Sequence, residues 1–320
     1  MDTRTARQPE TEGPDYADLL LTVGMEHPRV VVIDAGLATS MQTHRFAETF
    51  PARYFNLGIA EQNAVGVASG LARRGFVPLV HTFSNFLARR AHDQVALSVA
   101  WPSCNVKLIG GSCGLFDGRN GPSHFASDDL AAMSALPGIF IAEAGDRRQL
   151  SELLHHVVAR PGPAYLRLRR HQVPRDLLPT VTPCTGTVVA AGEPHATATV
   201  IAGGSMLDEV LLASRILADR SIAVEVIHVS VLRPLDATPI LESGRRTGLV
   251  IVVENHVATG GFGDAVSRLV GGLGVRHARI ALPEAFLPAG DPQWLLELCE
   301  LDASSLAYRI ERRIKERDDV

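Results

Sequence analysis

The 320-residue sequence has only four cysteines, no excess of basic residues and no apolar run of membrane length. Each absence removes a class of protein. Cys104, Cys113, Cys184 and Cys299 form no C-x-x-C pair and no Cys/His cluster with zinc spacing. That argues against a thiolate metal site and fits a reduced, cytoplasmic setting. The net charge of −4 argues against a nucleic-acid partner, which calls for a basic patch or stripe. No stretch approaches the roughly 20 apolar residues that a membrane helix needs, so no membrane partner is expected. Residues 1–14 are polar, lack the apolar core of a signal peptide and read as a disordered tail.

What is present is enough apolar sequence, 46% of the residues, for two domains with cores of their own. Over residues 15–171, strands are predicted at 29–34, 76–80, 106–110, 139–143 and 164–168, with helices at 85–100 and 147–159. Residues 172–189, which include Pro174, Pro179 and Pro183, read as a linker. Residues 190–320 repeat the alternation, with strands at 198–202, 223–228, 249–254 and 275–281 and helices at 206–218, 236–243 and 263–270. This spacing predicts an α/β chain of two three-layer α/β/α domains with mostly parallel sheets. The loop 111–127, punctuated by Gly, Asp and Asn, is too long for a plain connector and marks a functional loop.

Segment 54–75, YFNLGIAEQNAVGVASGLARRG, sets Glu61 near the start of a helix of small residues. Ile59, Ala64, Val67, Ala68 and Leu71 form an apolar stripe at helical spacing, and Gly75 is a stop signal. Glu61 is then either a solvated first-turn acid facing the helix dipole or a carboxylate buried inside an interface. The residues around it carry further information. Tyr54-Phe55-Asn56-Leu57-Gly58-Ile59-Ala60-Glu61-Gln62 is followed by Phe83 and Phe86, then by Asn120-Gly121-Pro122-Ser123-His124. This ordered set resembles the motifs of thiamine diphosphate enzymes of the transketolase superfamily. The resemblance covers nearly the whole chain after residue 15. It includes the Arg233-Pro234-Leu235-Asp236 turn and the Glu254-Asn255-His256 segment of the C-terminal domain.

The resemblance implies a pyrimidine-binding domain over 15–171, a transketolase C-terminal domain over 190–320 and thiamine diphosphate as cofactor. Glu61 matches the Glu that hydrogen-bonds N1′ of the cofactor's aminopyrimidine. Phe83 and Phe86 match the aromatic positions against that ring. Arg89 stands where many transketolases have a third aromatic, to stack on the ring or to reach a substrate anion. His124 matches a substrate-channel His that hydrogen-bonds a sugar hydroxyl or assists proton transfer. Arg167 and Arg170 resemble arginines that hold a terminal phosphate; the other reading is a solvated cluster with Arg169. Ser112 and Asn120 stand where sugar transketolases set a His and an Asp against substrate hydroxyls, so altered sugar recognition is expected. His256 is assigned to a domain or subunit contact, Cys113 to packing near the site, and the glycines of 260–263 to close helix–strand packing.

The family's Gly-Asp-Gly motif, which with a downstream Asn holds Mg²⁺ and the diphosphate, has no match. Gly145-Asp146-Arg147, Phe116-Asp117-Gly118 and Gly263-Asp264-Ala265 all depart from it. An N-terminal transketolase subunit is therefore expected to complete the cofactor and Mg²⁺ sites in an α2β2 heterotetramer, this chain alone being inactive. The implied reaction moves a two-carbon ketol unit from a ketose or ketose phosphate to an aldehyde, with the departures favouring specialised metabolism. Two alternatives stay open: 2-oxo acid decarboxylation with acyl transfer or carboligation, as in deoxyxylulose-phosphate synthase, and a non-catalytic scaffold.

Overall fold

The computed structural model describes residues 15–169, 177–178, 186–192 and 195–318. In chain order the first six strands are β1 (Val30–Asp34), β2 (Tyr54–Asn56), β3 (Val77–Phe83), β4 (Lys107–Gly111), β5 (Phe140–Glu143) and β6 (Ala164–Leu168). Then come β7 (Thr187–Ala191), β8 (Ala198–Gly203), β9 (Val224–Val229), β10 (Val231–Arg233), β11 (Leu249–Val257) and β12 (Arg276–Leu282). They form two sheets, ordered β10-β5-β6-β4-β3-β1-β2 and β12-β11-β8-β9-β7. Every pairing is parallel except β10 with β5 and β7 with β9. The mostly parallel α/β architecture follows from runs such as VVVID in β1, which is buried along its whole length as a strand between helical layers must be.

Three features depart from the sequence expectation. β10 comes from the second half of the chain yet closes the first sheet by pairing with β5, so the two halves share a sheet edge. β7 starts inside the stretch read as linker and pairs with β9; an antiparallel edge strand needs no helical crossover, so it leaves no alternation to detect. The predicted helix over 85–100 is broken into π-helical turns, Phe86–Arg90 and Val95–Ala100, around the short α-helical turn His92–Gln94. Single π turns inside helices recur at functional sites.

In the first sheet β2 lies on one side of β1 and β3 on the other, so the strand order reverses there. Ligands of open α/β sheets bind in the crevice beyond the carboxyl ends of the strands at such a point. Asn56, Phe83 and Gly111, the last residues of β2, β3 and β4, all lie at that edge.

The opposite edge serves stability. Lys107, the first residue of β4, is buried, and its Nζ donates to the carbonyls of Arg160 and Gly162, each at 2.7 Å. Burial, helped by the charge of Arg160, pushes its pKa down to about 7. Between that value and the ordinary lysine range the unfolded chain holds a proton that the folded chain lacks, so stability rises with pH. Urea unfolding is expected to show this rise between about pH 7 and about pH 9, and Lys107→Met to flatten it.

Candidate cofactor site

Asn56 ends β2 by turning the chain: its Oδ1 accepts from the N–H of Gly58 at 2.9 Å, and Gly58 has φ +69°, which favours glycine. The helix Glu61–Arg73 starts three residues later, with Glu61 as its first residue. Ala64, Val65, Ala68 and Ser69 form its buried face. Ile59 precedes the helix and is 80% exposed, which corrects its assignment to the apolar stripe. The Glu61 side chain itself is 1% exposed, so of the two readings of this carboxylate the buried one holds.

Around it stand the two phenylalanines and the histidine. β3 delivers Phe83 and the π-helical turn delivers Phe86, their ring centroids 5.6 Å apart. His124 stands edge-on to both, at 6.0 Å from Phe83 and 5.4 Å from Phe86. Its Nδ1 lies 2.9 Å from Ser123 Oγ. Asn85 Nδ2 donates to the carbonyl of Ser123 at 2.7 Å and ties the loop bearing His124 to the end of β3. Among the described residues, Thr82 Oγ1 and Asn85 Oδ1 are buried without a hydrogen-bond partner.

Of the two consecutive arginines, Arg90 is the one that reaches Glu61. Its Nη1 donates to both carboxylate oxygens, at 2.8 and 2.9 Å, and its guanidinium carbon sits 4.2 Å from the Phe86 ring centroid. Arg89 instead donates to Asp128 at 2.9 Å. The expectation that Arg89 meets the ring is thus corrected: within the π-helical turn it is Arg90 that lies over Phe86 and reaches Glu61.

The residues expected to meet substrate fall into two groups. Ser112 Oγ donates to one oxygen of Asp117 at 2.9 Å, and Asn120 Nδ2 donates to the other at 3.1 Å. Asp117, which the sequence did not single out, thus gathers the loop around itself. The second half of the chain pins this loop from outside. Leu115 N–H donates to Asn255 Oδ1 at 3.1 Å, Gly290 N–H to the carbonyl of Gly118 at 2.9 Å, and Arg119 pairs with Asp291 at 3.0 Å. Gly114 is required here, because a Cβ would lie 2.1 Å from the Asn255 side chain.

Arg167 is the main correction. It is 2% exposed, and its guanidinium donates to both oxygens of Asp129, at 2.8 and 3.0 Å, and to Glu143. Burial would lower its pKa, but the carboxylates of Asp129 and Glu143 hold it well above the ordinary arginine value. With its donors committed to two buried carboxylates, Arg167 is not placed to receive a substrate phosphate. Arg170 lies outside the described residues. Arg169 pairs with Asp208 at 2.9 Å and lies 3.9 Å from the Phe116 ring centroid.

The same ionic cluster joins the halves of the chain. Glu143 Oε1 accepts from Ser205 N–H at 3.1 Å, and Arg167 reaches the carbonyl of Asn255 at 3.4 Å. Cys113 Sγ donates to Glu143 at 3.4 Å, and burial, then the Glu143 charge, pushes the thiol well up, away from nucleophilic chemistry. His256 is buried between the halves, with Nδ1 at 2.7 Å from the carbonyl of Val257 and Nε2 facing the N–H of Ala131 at 3.4 Å. The glycines of 260–263 pack closely: a Cβ on Gly261 would meet the Glu254 carboxylate at 2.2 Å.

A buried carboxylate linked through Arg90 to clustered aromatic rings, at the carboxyl edge of a parallel sheet, has the chemistry to accept a flat, nitrogen-bearing ring. Comparison with known proteins makes the class specific. Residues 15–175 match the family model for the transketolase pyrimidine binding domain, and residues 188–306 that for the transketolase C-terminal domain. The chain belongs to the transketolase family, which depends on thiamine diphosphate, and corresponds to the C-terminal subunit of a split transketolase. It is 34% identical over 292 residues to the 6-deoxy-6-sulfo-D-fructose transketolase subunit SqwH of Clostridium sp. (strain MSTE9), covering 91% of this chain and 90% of that one. It is 36% identical over 304 residues to 1-deoxy-D-xylulose-5-phosphate synthase of Symbiobacterium thermophilum, covering 92% of this chain and 46% of the synthase. Among solved structures, a split-gene transketolase described as an inactive β4 tetramer matches with a TM-score of 0.84 at 32% identity, covering 94% of this chain and 97% of that one.

Proposed function

We propose that this chain is the pyrimidine-binding subunit of a two-component transketolase that transfers a two-carbon ketol unit from a ketose to an aldehyde. The observation that carries the proposal is the buried Glu61 carboxylate beside the cluster of Phe83, Phe86 and His124. Thiamine diphosphate supplies, when bound, the nucleophilic carbon that this reaction needs and that no side chain provides. The residues present fit its pyrimidine end. Glu61 offers a desolvated acceptor for a ring nitrogen, the phenylalanine faces offer apolar contact, and Asn85, tied to the His124 loop, holds a buried oxygen that lacks a donor among the described residues.

Glu61 would orient the ring and hold a proton against its nitrogen. His124 would meet a substrate hydroxyl through its imidazole, whose Nδ1 lies 2.9 Å from Ser123 Oγ. The diphosphate and Mg²⁺ would be held by an N-terminal subunit in an α2β2 assembly in the cytoplasm. The donor named for the SqwH relative is a sulfonated ketose. A substrate end other than the usual sugar phosphate agrees with Arg167 being bound to Asp129 and Glu143, and altered recognition of hydroxyls with Ser112 and Asn120 being bound to Asp117.

The test is co-purification with the candidate N-terminal subunit and titration of each chain and of the mixture with thiamine diphosphate and Mg²⁺. Tight, Mg²⁺-dependent binding confined to the mixture, followed by ketose-dependent aldehyde release, is the expected result. Release of CO₂ from pyruvate would move the assignment to the synthase-like reaction. Binding without turnover of any ketose or 2-oxo acid would leave a scaffold.

A further inference from the structure

Arg90 occupies the space between the two groups that would hold a pyrimidine ring. One of its nitrogens straddles both oxygens of Glu61, and its planar cation lies over Phe86 at 4.2 Å. A guanidinium is flat, donates hydrogen bonds from its edge and stacks on aromatic faces. It thereby offers Glu61 and Phe86 the same kinds of contact as an aminopyrimidine: a donor to the carboxylate and a flat face to the ring.

We propose that Arg90 is a displaceable plug that closes the pyrimidine half-site of this chain until the cofactor replaces it. A buried carboxylate left without a partner is costly, so Glu61 needs a donor in the empty chain, and Arg90 supplies it. The bond is built to be exchanged. It uses a single nitrogen rather than the parallel fork that makes Arg–carboxylate pairs strong. The Arg90 side chain is 46% exposed, so it returns to water at little cost. Arg89 offers no substitute, being bound to Asp128 across the π-helical turn. The consequence is a lowered affinity, because a ligand that needs the open state sees only the fraction of molecules in which Arg90 has swung away.

The inference rests on the cofactor reading of the site, and the experiment separates the two. Thiamine carries the pyrimidine ring without the diphosphate, so it probes this chain's half-site alone. Isothermal titration of the full-length chain with thiamine would compare wild type, Arg90→Ser, Glu61→Gln and the double variant. Arg90→Ser is expected to bind about fivefold to tenfold more tightly than wild type, as removal of a partly exposed competing ion pair implies. The gain should vanish when Glu61→Gln is added, because it acts through that carboxylate. Arg90→Lys keeps the charge without the plane and should fall between, and it replaces the serine variant if that one does not fold. Equal or weaker binding by Arg90→Ser and Arg90→Lys, or a gain that survives Glu61→Gln, overturns the plug while the cofactor site stands. Absence of binding by every form, repeated with thiamine diphosphate and the N-terminal subunit present, overturns both.

Discussion

Glu61→Gln is expected to reduce kcat of the reconstituted enzyme by about 10²–10⁴-fold, the range that a positioned proton donor or acceptor contributes. The same substitution should leave the thermal midpoint nearly unchanged. Glutamine has the shape of the glutamate, and its carbonyl oxygen still accepts from Arg90 Nη1, which now touches both oxygens of the carboxylate. It removes a charge from a side chain that is 1% exposed, and this relief offsets the loss of the charge-assisted bond. What it cannot do is hold or release a proton near neutral pH. Kinetics and melting thus respond differently, and that difference identifies a catalytic group. A matched pair of measurements, kcat and Tm on the same preparation, checks it. Unchanged kcat would remove Glu61 from the chemistry; a Tm lowered in proportion to activity would make it a structural carboxylate.

The parts of this site that were legible in the sequence share a property: their environment is set locally. Glu61 lies within a run of small residues that ends in Gly75, and Phe83 and Phe86 flank the end of a β-branched run. Short-range rules set these segments on a helix and at a strand end, but it is the resemblance to thiamine diphosphate enzymes that marks Glu61, Phe83 and Phe86 as site residues. Misreadings arose where distant chain decides. Arg167 looks on its own like an exposed anion holder, yet β6 is buried along its whole length. A charge in such a strand must find buried counter-charges, and those come from Asp129 and Glu143, far away in sequence. The apolar residues on either side of Arg167 in AYLRL were the available signal.

Arg89 and Arg90 teach a similar lesson at shorter range. Their difference lies in the number of residues per turn, and the wider π turn that aims one at Glu61 and the other at Asp128 has no sequence signature of its own. The strand β10 escaped for a third reason. Its three residues follow β9 almost directly, and only the antiparallel pairing with β5 separates them into another sheet. That crossing binds the two halves, and through Asn255 and Gly290 the second half also sets the loop between Ser112 and His124. The loop expected to meet substrate is therefore held by both halves, although the carboxylate and the aromatic rings belong to the first.

The junction itself yields the second large expected effect. Arg167→Met should destabilise the chain by about 3–5 kcal/mol, because it leaves Asp129 and Glu143 buried without their counter-charge. For a chain of this size that is a fall in Tm of roughly 5–7 °C. An arginine that served only to hold a substrate phosphate would, when replaced, raise KM and leave Tm alone. The pH dependence carries the same distinction. Burial works to raise the pKa of Asp129, but the charge and hydrogen bonds of Arg167 outweigh it and hold the group below the ordinary aspartate value. Asp129 thus contributes stability that is present above its unfolded pKa and is lost as pH falls through the lowered folded one. In Arg167→Met the penalty of burial at Asp129 is opposed only by the Tyr165 hydroxyl, which donates to it at 2.6 Å, and by His256, and protonation of Asp129 relieves it. The gap in stability between wild type and variant should therefore be widest near neutral pH and narrow below about pH 5, measured by urea unfolding across that range. A gap independent of pH would mean that Arg167 acts through its packing volume, and that the carboxylates beside it are already neutral.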